Sequence, residues 1–252
     1  MLTGPSLNAF EQAVLEPFLS GSDHTLSGCV IDARPSRPLG QKVRDNLRRG
    51  RGGYVLVMAL TLPLRRKRPA LPTRSYCDEH AIPVIETAEP YSVATISRVS
   101  ELAADVLVLI GGFGIVRAPL LELAPHGVLS YHHGDMRRYR GQPPGLWELY
   151  HGDSDMGVTV QRLTESLDAG EPIVERRVPI RGDDTVGSLR ERALAVSVDM
   201  LYEAVQRIDA PGRQVQRIAT FGPVYTLPNL RQWLVLQMRV ALRRLRARAA
   251  RG

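Results

Sequence analysis

Apolar positions recur at helical spacing from Leu7 to Leu19, behind a Gly4-Pro5-Ser6 start signal in which Ser6 offers an N-cap. A short β-like run follows at Ser27 to Asp32. Pro35 to Arg51 is polar and basic, whereas Tyr54 to Leu60 is apolar and β-branched enough for either a buried strand or a short helix. Beyond the proline-punctuated Pro63 to Pro72 the pattern becomes regular: a helix around Thr73 to His80, a strand Pro83 to Glu86, and a helix near Val93 to Glu101. Asp105-Val-Leu-Val-Leu-Ile110 is the clearest strand, apolar throughout, as a strand covered on both faces is. It runs into Gly111-Gly112-Phe113-Gly114, a short helix, and a second strand at Gly127 to Tyr131. Val158 to Leu163 and Pro172 to Pro179 alternate as strands do, separated by the turn-rich Thr164 to Glu171. One helix is expected from Thr185 to Arg207, opened by Asp183-Asp184, and a last one from Leu230 to Arg248.

Strands alternating with helices predict an α/β fold: a Rossmann-like, mostly parallel open sheet flanked by helices, with a basic C-terminal helix. Ligands of such sheets bind outside the carboxyl ends of the strands, which singles out the loops after Ile110 and Tyr131. The first strand is short, because Met1-Leu2-Thr3 leads directly into Gly4-Pro5. At 252 residues and 44% hydrophobic content the chain can bury one main core, placed at residues 1–208 with an extension at 209–252. Cys29 and Cys77 are too few for a disulfide framework and sit in no metal-binding spacing, which fits a reducing compartment. The N-terminus lacks the basic and apolar regions of a signal peptide, and no apolar run approaches the roughly 18 residues of a membrane span, so a cytoplasmic protein is expected. The net charge of +7 is concentrated in Lys42 to Arg51 and Arg239 to Arg251.

The densest reactive cluster is Ser130-Tyr-His-His-Gly-Asp-Met-Arg-Arg-Tyr-Arg-Gly141, at the end of a predicted buried strand. Histidine there exchanges protons near neutral pH, while the arginines, Gly134 and Gly141 suit an anionic or backbone-contacting ligand. A basic surface turn with incidental histidines would look similar. By residue type His132, His133 and Asp135 could ligate zinc or iron, but adjacent histidines on a strand point to opposite faces and further ligands are not evident, so no metal site is expected. Trp147 is expected to pack in the core.

Ser130 to Gly141, continuing through Pro143-Pro-Gly-Leu-Trp147, Gly157-Val-Thr159 and Leu167-Asp-Ala-Gly170, resembles the folate-dependent formyltransferases of methionyl-tRNA, glycinamide ribonucleotide and sugar nucleotides. Their pattern reads roughly N-x-H-P-S-L-L-P-x-Y-R-G, then P-x-x-W, G-V-T and L-D-x-G, and the match covers about Asp105 to Ile180. The resemblance implies the formyltransferase fold and 10-formyltetrahydrofolate as formyl donor. It also implies an attack by an amine on the formyl carbon through a tetrahedral oxyanion. The family histidine falls on His132, which would stabilise the oxyanion or shuttle a proton, and the family aspartate on Asp168, which would orient the histidine and water. The family asparagine falls on Ser130, a departure, for which Tyr131, His133 or water are stand-in donors; Pro-Ser-Leu-Leu-Pro is rewritten as His133 to Arg137. Phe113, Gly114, Ile115 and Val116 resemble the pterin-lining segment, joined by Gly170, and Tyr139, Arg140 and Gly141 are expected to meet the acceptor.

The resemblance leaves the acceptor as a small-molecule amine, with an amino sugar foremost, and leaves a formyl-folate hydrolase or a weakened folate-binding protein as alternatives. Methionyl-tRNA formyltransferases add a C-terminal barrel, and the tail after Arg207 shows no alternating strands, so tRNA is not expected as a partner. Apolar residues at 233, 234, 236 and 238 do not form one clean stripe, which suits a basic helix packed back on the domain. Peripheral contact with an anionic membrane through that helix, and a homodimer, are the other partners it allows.

Overall fold

The computed structural model describes residues 1–20, 23–35, 38–48, 52–53, 55, 70–208, 210 and 216–249. The run from Tyr54 to Leu60, Val55 excepted, and the start of the proline-punctuated segment lie outside the described residues. In chain order the elements are β1 (Leu2–Thr3), β2 (Ser6–Asn8), α1 (Ala9–Leu19), β3 (Cys29–Asp32), α2 (Leu39–Arg48), β4 (Ala70–Pro72), α3 (Thr73–Glu79), β5 (Val84–Thr87), α4 (Val93–Ser100) and β6 (Leu107–Gly111). After a 3-10 turn at Leu120–Glu122 come β7 (Val128–His132), β8 (Arg140–Gly141), α5 (Leu146–His151), β9 (Asp155–Arg162), β10 (Glu171–Pro179), α6 (Val186–Ala195), α7 (Met200–Ile208), β11 (Val224–Tyr225) and α8 (Leu230–Ala249).

The central sheet has seven strands in the order β10-β9-β7-β6-β1-β3-β5. It is parallel from β7 to β5, and β9 and β10 add antiparallel strands on the β7 side. The short first strand therefore stands in the middle of the parallel part, where Leu2 and Thr3 are fully buried. Apolar strands divide their residues between two cores, one on each face: Val30, Leu107 and Val128 enter one, and Ile31, Val108, Ile110 and Leu129 the other. This two-sided burial is why the strand around Ile110 carries no polar alternation.

The chain runs from β1 outward to β3 and β5, then returns to β6 and β7 on the other side, so the topological switch point lies between β1 and β6. Backbone closes that crevice. The Gly4 N–H donates to the Gly111 carbonyl at 2.8 Å. Gly4 and Gly112 touch so closely that a Cβ on Gly4 would sit 2.9 Å from the Gly112 Cα, and one on Gly112 2.7 Å from the Gly4 Cα. The open space consequently lies one gap over, above β6 and β7.

Two sequence expectations are corrected. Helix α1 is capped by Asn8, whose side chain accepts from the Phe10 and Glu11 N–H groups at 2.9 and 3.2 Å, while Glu11 accepts from Asn8 N at 2.7 Å. Ser6 is instead drawn into β2, which pairs with β4. The helix expected from Thr185 to Arg207 is two helices, because the Tyr131 hydroxyl donates to Ser197 O at 2.6 Å and accepts from Leu201 N at 3.1 Å, taking up backbone groups that a continuous helix would use itself. Helix α8 packs on α5 and buries Leu236 and Val240, while Leu234, Met238, Leu242 and Leu245 on another face stay exposed. Two apolar faces, not one, explain the blurred periodicity. Among the described residues no helix is long and apolar enough to cross a membrane.

Gly112 has φ +70°, so a side chain there meets both backbone strain and the Gly4 contact. Gly112→Ala is expected to destabilise the fold by roughly 1–3 kcal/mol, read as a lowered Tm in thermal denaturation; an unchanged Tm would remove the closed switch point as a constraint.

Candidate active site

On β7 the side chains alternate. Ser130 and His132 project to one face, opposite Gln161 and Thr159 of β9, and Tyr131 and His133 project to the other. His132 is 6% exposed. Its Nε2 lies 2.9 Å from the Tyr139 carbonyl and its Nδ1 3.4 Å from Asp168 Oδ1. Nε2–H donation to the carbonyl leaves Nδ1 turned toward Asp168, so a proton added at Nδ1 lets the ring donate at both ends. Only glycine fits at 134, since a Cβ there would come within 2.7 Å of His132 Nε2.

The carbonyl that holds His132 is itself held. Arg138 N and Tyr139 N donate to Asp135 O at 2.9 and 2.7 Å, closing a tight turn. Asp135 is buried, yet the Arg137 N–H and the Arg177 guanidinium outweigh the burial and keep its carboxyl below the usual range. The Tyr139 hydroxyl donates to Asp153 Oδ2 at 2.8 Å, and its ring stacks on His151.

Asp168 sits in the β9–β10 connection with φ +45°, a conformation rare for a residue with a side chain. Its Oδ2 accepts from the Gly141 N–H at 2.8 Å. Burial by itself would raise this carboxyl, but His132, the Gly141 N–H and the Gln161 amide outweigh it and hold it below the ordinary carboxylate value.

Above this pair opens a cleft of about 1180 Å³. Ile115 and Val116 form one wall, Leu163 and Leu167 another, and Ser130 and His132 the floor. The Ser130 hydroxyl has no hydrogen-bond partner among the described residues. Of the residues expected to meet the donor, Gly114, Ile115 and Val116 line the cleft. Phe113 does not: it is fully buried in a core, because an apolar side chain beside a two-faced sheet has more surface to bury below than in the cleft. Gly170 also lies outside, pressed against Gln161 and Arg162. Of the residues expected to meet the acceptor only Gly141 lines the cleft. Tyr139 is buried beneath it. Arg140 spends its guanidinium on the Gly222 and Leu167 carbonyls at 2.7 and 3.2 Å.

Tyr131 and His133 border the cleft but do not offer it donors. The Tyr131 hydroxyl is engaged at the α6–α7 break, and His133 Nε2 lies 3.4 Å from Ser197 Oγ. Burial, with His132 and Arg190 adding, pushes His133 down to about 4, so it is neutral at pH 7. His132 and His133 thus face apart, and among the described residues no three His, Cys, Asp or Glu side chains are grouped to hold a metal ion. Trp147 is buried as expected, with Nε1 donating to Thr226 O at 3.1 Å.

Three contributors escape sequence reasoning. Residues 224–227 close the third side of the cleft, with Val224 and Tyr225 paired to Arg140 and Gly141; two paired residues leave no periodicity to find. Gln161 is 1% exposed under the Asp168 loop. Glu148 on α5 is 2% exposed with Oε1 unpartnered; its apolar neighbours Leu146, Trp147 and Leu149 were the available signal.

Solved structures similar to this chain include formyltransferases and a formyltetrahydrofolate deformylase from Pseudomonas syringae pv. tomato. Phosphoribosylglycinamide formyltransferase from Anaplasma phagocytophilum is similar over 89% of this chain and 98% of its own, with TM-score 0.60 at 17% identity. An N-formyltransferase from Helicobacter canadensis, solved with folinic acid and dTDP-3-aminofucose, is similar over 89% of this chain and 69% of its own, with TM-score 0.57 at 15% identity. These identities speak for the fold alone. The sequence model of formyl transferase matches residues 59–205, more than half of the chain, and the chain belongs to that family. The methionyl-tRNA formyltransferase of Anaeromyxobacter sp. (strain K) is 30% identical over 220 residues, 86% of this chain and 62% of that protein.

This last finding corrects the expectation that set tRNA aside. The curated relatives carry methionyl-tRNA in their names, and the chain spans about three fifths of the length of the first of them, so a tail without barrel strands says nothing about the acceptor.

Burial pushes the Glu148 carboxyl up to about 7, with Asp153 adding to the rise and His132 opposing it. A carboxyl raised on folding contributes stability that is complete below its unfolded value of about 4.3 and is lost as pH rises to about 7. Glu148→Gln removes this titration. The Tm difference, variant minus wild type, is expected to grow between pH 5 and 8 by the equivalent of at most about 3 kcal/mol; a difference that stays flat with pH would refute the burial of an ionising Glu148.

Proposed function

We propose that the protein transfers a formyl group from 10-formyltetrahydrofolate to a primary amine, with His132, Asp168 and Ser130 as the catalytic residues. The observation that carries this is the His132–Asp168 pair, 3.4 Å apart on the floor of the cleft at the carboxyl end of β7. Family membership supports formyl transfer as the reaction class. A cleft of about 1180 Å³ with apolar walls at Ile115, Val116, Leu163 and Leu167 suits a flat heteroaromatic donor and leaves room for an acceptor beside it.

In the reaction a carbon–nitrogen bond forms between the acceptor amine and the formyl carbon, and the bond from that carbon to the folate nitrogen breaks. The amine loses a proton and the folate nitrogen gains one. His132, anchored at Nε2 by the Tyr139 carbonyl, has Nδ1 beside Asp168 at the cleft floor, placed to hold the proton in transit or to donate to the developing oxyanion. Asp168, kept ionised by its neighbours, stabilises the charged ring. Ser130, on the same face and unbonded within the protein, is the second donor to the oxyanion.

The acceptor is an amine on a phosphate-bearing carrier. That feature is shared by methionyl-tRNA, phosphoribosylglycinamide and dTDP-3-aminofucose in the relatives' names, and the net charge of +7 suits it. Of these three, phosphoribosylglycinamide is the smallest carrier and methionyl-tRNA the largest.

A panel of methionyl-tRNA, phosphoribosylglycinamide and an amino-sugar nucleotide, each with 10-formyltetrahydrofolate, tests this directly. Formylation of one amine is expected; release of formate with none formylated would make the protein a hydrolase, and no binding of 5-formyltetrahydrofolate at millimolar concentration in calorimetry would remove the donor. Ser130→Ala is expected to lower kcat more than about tenfold with KM nearly unchanged, because the lost bond exists mainly in the transition state. An indifferent Ser130→Ala would assign the oxyanion to other donors.

A further inference from the structure

We infer that Gln161 is a positioning residue for the Asp168–His132 pair, supplying from β9 a buried amide beside the pair, on the strand position directly opposite Ser130. The inference rests on the reading of the cleft given under the proposed function.

Gln161 and Ser130 are register partners across the antiparallel β7–β9 ladder. Residues directly opposite each other project from the same face, so the Gln161 side chain rises beside Ser130 and His132. It is 1% exposed, and a buried amide must place both its acceptor and its donors. The acceptor is accounted for: Oε1 takes the Gly170 N–H at 2.9 Å. The fit is tight, since a Cβ on Gly170 would lie 2.7 Å from that oxygen. The amide also acts on Asp168, where it adds to the effect of His132 and the Gly141 N–H in holding the carboxyl low against burial.

One side chain thus engages residues 168 and 170 of the same loop. Asp168 has φ +45°, a conformation that persists in a residue with a Cβ only where the surroundings impose it. The Gly141 N–H imposes it from β8, and Gln161 imposes it from β9. The other ionisable groups around Asp168 do not duplicate this. His132 faces it from β7 as its partner, Arg140 on β8 is spent on the Gly222 and Leu167 carbonyls, Glu165 shares its loop, and Glu148 on α5 bears on His132 from behind. Without the amide, Asp168 would lose a neighbour that favours its charged form, and the loop would lose its hold at Gly170.

The test uses Gln161→Leu, which removes both functions, and Gln161→Glu, which keeps an acceptor for the Gly170 N–H but puts a second carboxylate beside Asp168. The first readout needs no ligand: the Asp168 carboxyl is titrated by carbon-detected NMR, with Asp168→Asn fixing the assignment. Its midpoint is expected to rise in both variants. The second readout is formyl transfer from 10-formyltetrahydrofolate to the amine identified in the panel. There kcat is expected to fall at least about tenfold with KM within about twofold, and the acid limb of the kcat profile to move to higher pH. A residue that only held the loop would lower Tm and leave the Asp168 midpoint in place, and that result overturns the inference. Should Gln161→Leu fail to fold, Gln161→Glu carries both readouts. Should the wild type formylate no amine, the functional reading falls while the titration still decides the role of Gln161.

Discussion

A buried imidazole held at both ends is the constraint around which the active end of this sheet is built. His132 is buried, and the Tyr139 carbonyl and the Asp168 carboxylate meet its two ring nitrogens. A buried polar atom left unpaired costs about 1–3 kcal/mol, enough to make each of those partners a structural requirement. The requirement propagates outward. Tyr139 is fixed by Asp153, Asp153 is paired with Arg138 at 2.8 Å, and the turn that delivers the carbonyl closes on Asp135, which two arginines hold. Asp168 depends in turn on the Gly141 N–H, which is placed by the pairing of β8 with β11. Residues 133–141, the most irregular stretch near the sheet, are therefore among the most constrained.

The position of the cleft follows from a second constraint, the contact between Gly4 and Gly112. In an open α/β sheet the crevice at the switch point is the natural binding place. Here the two backbones touch across it, and the space available to a ligand is displaced to β6 and β7, beside the two antiparallel strands. That displacement gives β9 and β10 a part in chemistry. Their connecting loop returns over the end of β7 and brings Asp168 to His132.

Much of this was legible in the order of residues, and the parts that were not have identifiable causes. Strands β6 and β7 stand out as apolar runs, and His132 and Asp168 stand in a spaced pattern specific enough to pair them from sequence. Ser6 and Asn8 are both competent caps, and only the β2–β4 pairing decides between them. The family resemblance puts Phe113 in the pterin wall, and what sequence does not show is the second core beneath the sheet that takes it in. The break between α6 and α7 has no glycine or proline to mark it, because its cause is a tyrosine hydroxyl 66 residues away in sequence. In the tail the blurred apolar pattern comes from two faces of α8, one packed on the domain as expected and one exposed, and the relatives' names, not the tail, bear on tRNA.

Tyr131 shows how site and core are joined in one strand. The period of two that sends Ser130 and His132 into the cleft necessarily sends Tyr131 the other way, into the helical layer. Burial raises the Tyr131 hydroxyl well above its ordinary value, so it stays protonated and can both donate to Ser197 O and accept from Leu201 N. The ring packs edge-on to Phe10 of α1 and face-to-face with His133. Any lateral shift of β7 that moved His132 off the Tyr139 carbonyl would also pull this hydroxyl out of the α6–α7 break. The two sets of bonds lie on opposite faces of one rigid strand, and each holds the other in register.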